Sequence, residues 1–297
     1  MKILRSFLAH TKVDFMKVHK LALAASILCI IASVALVLVK GLNFGIDFSG
    51  GILIEARAPN ASQEQLRAAL TAKIKDVQIQ NIGEQDFLIR VAKTNDKDGS
   101  QLLEVKKIQE ILTEKFPQIE YRKVDYVGPQ MGSELIWKGF FALLMSFIFI
   151  MIYIWVRFDW QFGLGGIFAL THDALLTLGF YAVTGLEFNL TSIAAILTVI
   201  GYSINDSVVI YDRIRENLRK YKKMDLAELI NSSANSTLSR TLLTSGATLL
   251  SLLALVLFGG DVLKSFSQAA FFGILVGTYS SIYISAPILL YLDPRKA

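Results

Sequence analysis

The chain has 297 residues, 53% of them hydrophobic, with a mean hydropathy of +0.49 and a formal net charge of +5. Its apolar residues fall into runs near 20 residues, the length that crosses a hydrocarbon core of roughly 30 Å, which excludes an ordinary soluble domain. The positive charge then reads as topological bias and not as a nucleic-acid footprint. With three histidines and one cysteine, Cys29, there is no intrachain disulfide, and no metal site is expected.

Taken in order, residues 1–20 form a basic tail with Lys2, Arg5, Lys12, Lys17 and Lys20, and residues 21–39 form the first predicted span. That span is too long and clean for a cleaved signal, and Lys40-Gly41 follows without a small-residue cleavage pattern, so it reads as an uncleaved anchor. Segment 40–137 is polar. Within it Gly51–Arg57 alternates like a strand, and Ser62-Gln63-Glu64-Gln65 is a capping box that opens a helix to about Ile74. Val77–Ile82 and Phe87–Val91 read as strands joined through Gly83, 101–116 as a second helix, and Ile119–Val127 as a last strand. The order βαββαβ predicts an α+β ferredoxin-like sandwich. It offers no nucleophile, metal cluster or phosphate loop, so a binding surface is expected there and the chain does not read as an enzyme.

Five further spans are predicted at 139–156, 163–184, 190–210, 242–258 and 267–292, with a loop at 211–240, giving a six-helix membrane bundle within 138–297 plus the anchor. Lys and Arg gather in the N-terminal tail, in the 211–240 loop and at Arg295-Lys296, whereas the 185–189 loop has none and 259–265 only Lys264. By the positive-inside rule both termini are cytoplasmic and 40–137 is periplasmic. The run Arg213–Lys223 reads as topology-setting, with anionic lipid as an alternative partner, and 225–232 as an amphipathic helix able to lie on the membrane.

An ionised Asp at a helix centre costs roughly 2.5–3.5 kcal/mol on insertion scales, so polar residues inside the spans need a reason. Asp173 follows His172 and shares a face with Gly165, Ala169 and Thr177; Asp206 follows Asn205, with Thr198 and Tyr202 on its face. Arg240 opens a polar stripe through Thr244 and Thr248, with Thr241 and Ser245 beside it, and can reach to the interface or turn inward to a carboxylate. Interhelical hydrogen bonding accounts for Asn205 as well as function does. For Asp206 and Asp173 an ionisable group is more than such bonding requires, and proton movement is the expected role. Ala269, Gly273, Gly277, Ser281 and Ser285 recur every four residues and read as a packing stripe.

These motifs have a familiar order. Gly41-Leu42-Asn43-Phe44-Gly45-Ile46-Asp47-Phe48-Ser49-Gly50-Gly51 follows the first span, and Val127-Gly128-Pro129-Gln130-Met131-Gly132 precedes the second. The run Thr198 to Ser207, containing Gly201, Asn205 and Asp206, leads into Asp212-Arg213-Ile214-Arg215, and Ser239-Arg240-Thr241 and Phe258-Gly259-Gly260 complete the set. From about residue 40 to 290 the chain resembles the SecF branch of the SecD/SecF protein-export family, departing slightly at Met131 and in the 93–100 loop. The resemblance implies half of a transporter of the resistance-nodulation-division type, placed in the bacterial inner membrane, with SecD supplying six more helices. It implies partnership with the SecYEG channel and SecA, with YajC and YidC as further candidates, and an unfolded preprotein as substrate. The proton-motive force would complete translocation after the ATP-driven SecA step, so protons are the coupling ion and no cofactor is needed. Asp206 and Arg240 match the family's proton path, which takes a further carboxylate from SecD; Asp173 matches a His-Asp pair. The competing readings are a small-molecule exporter of the same superfamily and a non-transporting scaffold of a membrane complex.

Overall fold

The computed structural model describes residues 13–74, 77–83, 85–91, 100–127 and 129–296, and the chain divides into two units, Phe44–Phe140 and the remainder. The basic residues Lys2, Arg5 and Lys12, the 93–99 part of the variable loop, and Gly128 lie outside the described residues.

In the first unit, alternation sets the sheet. Ile52, Ile54 and Ala56 of β1 (Gly51–Arg57) and Phe87, Ile89 and Val91 of β3 (Asp86–Val91) point to one buried face, as period-two patterning requires. With β2 (Val77–Asn81) and β4 (Glu120–Val127) they make an antiparallel sheet of order β2-β3-β1-β4, in which Ile54 pairs with Ile89 on one side and Val124 on the other. Helix α1 (His19–Lys40) precedes this unit; α2 (Gln63–Thr71) and α3 (Ser100–Lys115) cover the sheet with Leu66, Leu70, Ile108, Ile111 and Leu112. This is the ferredoxin-like arrangement. The capping box forms as read: Ser62 Oγ accepts from Gln65 N at 3.2 Å, and Gln65 Oε1 accepts from Ser62 N at 2.9 Å.

The membrane unit contains α1, most of α4 (Pro129–Arg157), α5 (Trp160–Thr184), α6 (Leu190–Lys220), α7 (Leu226–Phe258), and α8 (Gly260–Ser280), which runs through a widened π turn, Ser281–Ser285, into α9 (Ala286–Leu292). Pro287 has no N–H for the Tyr283 carbonyl, and the wider turn makes room for its ring. Among the described residues, six helices are long and apolar enough to cross a membrane. They are not equally covered. About half or more of the apolar window is buried in α5 (50%), α6 (56%) and the α8–α9 span (61%), against 17% in α7, 11% in α4 and 6% in α1. Three inner helices therefore carry the core, and three outer ones present large apolar side chains such as Leu38, Phe149, Val156 and Phe258.

Two expectations are corrected. Segment 211–240 is not a loop: α6 continues to Lys220, a short turn follows, and α7 begins at Leu226 with Asp225 accepting from Ala227 N and Glu228 N. Segment 225–232 does not lie apart on the membrane either. Leu229 and Ile230 are fully buried with Ile210, Tyr211 and Ile214. The cause is a helical apolar stripe beneath the charges, which a linear charge count passes over. Part of the tail is also held: Val13 N and Phe15 N donate to the amides of Asn235 and Asn231 at 2.9 and 2.8 Å, and Phe15 and Met16 are buried.

Candidate functional site

The inner helices bring two carboxylates into the apolar bundle by different routes. Asp173 sits on the buried α5 face predicted by the Gly165–Ala169–Asp173–Thr177 spacing, and all four residues are buried. Its Oδ2 accepts from Ser203 of α6 at 2.5 Å and Ser280 of α8 at 2.7 Å, while His172 Nδ1 lies 2.8 Å from Oδ1. Two hydroxyl donors and an imidazole, from three helices, converge on one carboxylate. His172 is buried too, and its Nε2 has no hydrogen-bond partner among the described residues. Gly277 belongs to this site as well as to the packing stripe: a Cβ there would stand 3.1 Å from Ser203 Cβ and 3.5 Å from Asp173 Oδ2.

Asp206, on the next turn of α6 after Ser203, is 2% exposed. Its one hydroxyl donor among the described residues is Ser245 of α7, at 3.1 Å from Oδ2, and Ser245 Oγ in turn accepts from Thr278 of α8 at 3.0 Å. Thr198, read as sharing the Asp206 face, is exposed and donates to the Ala194 carbonyl. Eight residues of helix accumulate about 80° of rotation, enough to carry it off that face. Tyr202 is half-buried and bonds across to Thr248 at 2.7 Å.

Arg240 is exposed, with no ion pair among the described residues, yet it lies near enough for its charge to act on the Asp206 carboxylate. Its neighbours Thr241 and Ser245 face inward, so the polar stripe of α7 is split between two sides. Asn205 and Gly201 are exposed on α6. One outward strip of α6 and α7 is therefore small and polar, with Thr198, Gly201 and Asn205 on one helix and Arg240, Thr244, Ala247 and Ser251 on the other, while α7 also exposes Leu242, Leu250, Leu257 and Phe258. That of α4 is aromatic and aliphatic.

The other signature residues brace the structure. Asp212 pairs with Arg157 at 2.7 Å, Arg215 donates to the Arg157 carbonyl at 2.9 Å, and Arg213 donates to Ser236 at 3.0 Å and pairs with Glu216 at 2.6 Å. Gly45, Asp47, Gly50 and Gly51 lie in the other unit. Gly45 caps a helical turn, Ile46–Ser49, with Asp47 in its first turn, and Gly50 and Gly51 leave it at φ +71° and +127°, angles that disfavour any side chain. Pro129 opens α4, where its missing N–H costs nothing. Sequence reasoning missed Ser280 as a partner of Asp173 and Thr278 as a donor to Ser245, the serine that bonds Asp206; their signal was two hydroxyls beside the small-residue stripe of α8.

Comparison with known proteins places these residues in a wider set. Residues 107–295 match the family described as protein export membrane protein SecD/SecF, C-terminal, and residues 35–58 match the SecD/SecF GG motif. The chain is 52% identical over 287 residues to proteins named protein translocase subunit SecF from Rickettsia felis and Rickettsia prowazekii, covering 95% of this chain and 92% of each relative. It is similar to the crystal structure of SecDF, a translocon-associated membrane protein from Thermus thermophilus, at 38% identity and a TM-score of 0.86. That likeness covers 96% of this chain and 39% of the length of the solved one.

Proposed function

The chain belongs to the SecD/SecF family of protein-export membrane proteins, and from that premise we propose that it works as the SecF-type subunit of a protein translocase, pairing with a SecD-type partner and coupling proton movement to preprotein export. Asp206 is the group that takes up and releases the proton. The supporting observation is its setting: a buried carboxylate in a membrane helix with a single hydroxyl donor among the described residues. An ionised carboxylate so placed is costly, and protonation removes the cost at the price of little hydrogen bonding. Moving one charge across the membrane yields roughly 2.3 kcal/mol per 100 mV, enough to shift two conformations by nearly two decades.

The partner docks on the small, polar side of α6 and α7. Exposed Asn205 and Arg240 there favour a protein surface over lipid, because both are expensive against hydrocarbon. Arg240 then sits at the subunit boundary, where it biases the charge state of Asp206. Asp173, hydrogen-bonded by Ser203 and Ser280, pins α5, α6 and α8 together. Both termini are cytoplasmic and 40–137 is periplasmic in the bacterial inner membrane, with SecYEG, SecA, and YajC and YidC as neighbours of the assembled pair. The chain carries no hydrolytic step of its own.

The test is Asp206→Asn, which keeps size and removes titration. Preprotein export into membrane vesicles with an imposed proton gradient should lose its gradient-dependent part while assembly with the partner persists. Full gradient-driven export by this variant would reduce the subunit to a scaffold.

A further inference from the structure

The basic residues at the end of α6 do more than tilt a charge count. Arg157, Asp212, Arg215, Glu216, Arg219 and Lys220 line an open pocket of about 440 Å³ between the last turns of α4 and α6. Its two carboxylates are already engaged, Asp212 with Arg157 and Glu216 with Arg213 from outside the pocket. Arg215, Arg219 and Lys220 have no acidic partner among the described residues. Two of the guanidinium groups are held in place: those of Arg157 and Arg215 lie 4.8 and 5.9 Å from the centre of the Phe158 ring. Held guanidinium groups lose less freedom on meeting an oxyanion than free side chains do.

The surroundings say what kind of anion fits. α4 reaches the pocket with Phe149, Ile152, Tyr153 and Val156 exposed, Val156 at 83%, and Trp155 and Trp160 stand half-exposed at the same end. Aromatic residues of this kind mark the level of lipid headgroups. Orienting a membrane protein requires only positive charge near a span end. It does not require side chains from two helices to converge on a single cavity beside a bare hydrocarbon track. We propose that this pocket holds the phosphate headgroup of an anionic glycerophospholipid whose acyl chains lie along α4. The proposal rests on the spans lying in a membrane and is independent of the proton role of Asp206.

The test uses the full chain purified with its partner and titrated with phosphatidylglycerol, with lipid occupancy read by native mass spectrometry. Arg219→Gln/Lys220→Gln removes two pocket cations. Lys222→Gln/Lys223→Gln removes the same charge from the neighbouring turn, outside the pocket. The pocket variant should bind phosphatidylglycerol roughly tenfold more weakly than wild type, the turn variant should stay within about twofold, and phosphatidylcholine should compete poorly. Equal losses in both variants would reduce the pocket to general surface charge. Displacement of phosphatidylglycerol by millimolar inorganic phosphate, or equal binding of phosphatidylcholine, would also overturn the proposal. Asp206→Asn should bind phosphatidylglycerol like wild type, which separates this site from the proton site; loss of binding in that variant would overturn the independence.

Discussion

Asp173 and Asp206 are two buried carboxylates one helix apart, and the bundle treats them differently. Asp173 collects Ser203, Ser280 and His172 from three helices. Asp206 has one serine. A carboxylate surrounded by donors is held as an anion and ties its neighbours together, while one with few donors sits in a setting where neutral and charged forms compete. Burial alone does not distinguish the two; the number of hydrogen-bond partners does. Asp173 is tied to its neighbours, and under the proposed function Asp206 is the acid that changes charge.

The largest effect should follow from cutting the pin. Asp173→Ala leaves two hydroxyls and an imidazole without their acceptor in the bundle interior, and breaking a buried ion-pair network costs about 3–5 kcal/mol. Thermal unfolding in detergent should show this as a large loss of stability, whereas Asp206→Asn should change stability by no more than about 1 kcal/mol. Equal destabilisation by the two would erase the distinction. Next, Gly277→Ala pushes a methyl group toward Ser203 and Asp173, and over-packing of this kind costs about 1–3 kcal/mol. Its export activity should fall in step with its stability. A loss of activity at full stability would move Gly277 and Asp173 into the proton mechanism.

A smaller change tests the other acid. Ser245→Ala removes the donor to Asp206 and should cost about 1 kcal/mol of stability, yet alter the pH dependence of gradient-driven export. Ser280→Ala should lower stability by a similar amount and leave the pH profile in place. The smallest effect belongs to a reference outside the bundle, the partly buried Asp86 of the sheet unit. The Arg57 guanidinium, hydrogen-bonded to it at 3.0 and 3.1 Å, holds the Asp86 carboxyl below the usual range, with Arg122 adding to the effect at 3.4 Å. The unfolded chain then binds the proton more readily than the folded one. The stabilisation is complete above the ordinary aspartate value of about 3.9 and is lost as pH falls through the lower folded value. Asp86→Asn should lower protection at pH 7 slightly, to the level the wild type shows in acid, and flatten the difference between the two, measured as hydrogen-exchange protection of the β1–β3 ladder in the full protein at neutral and acid pH.

Much of this arrangement is legible in the chain itself. The alternation of Ile52, Ile54 and Ala56, the Ser62–Gln65 capping box, and the Gly165-to-Thr177 spacing each report a local geometry with a fixed period, and each recurs in the fold. What the sequence does not carry is which helix stands opposite. Ser280 lies far along the chain from Asp173, and Thr278 from Ser245, and helical packing alone brings them within reach. The stripe Arg240–Thr244–Thr248 faces away from buried Thr241 and Ser245 for the same reason. The hairpin of α6 and α7 beyond the lipid was hidden because its charges are on the surface, while Ile214, Leu229 and Ile230 hold it together from within.

The most direct measurement is infrared difference spectroscopy of the carboxyl C=O stretch, recorded on the assembled subunit pair across its working pH range for wild type and Asp206→Asn. A protonated-carboxyl band that grows and fades with pH in the wild type and is missing from the variant is the predicted result. A spectrum in which no band depends on residue 206 would contradict the account.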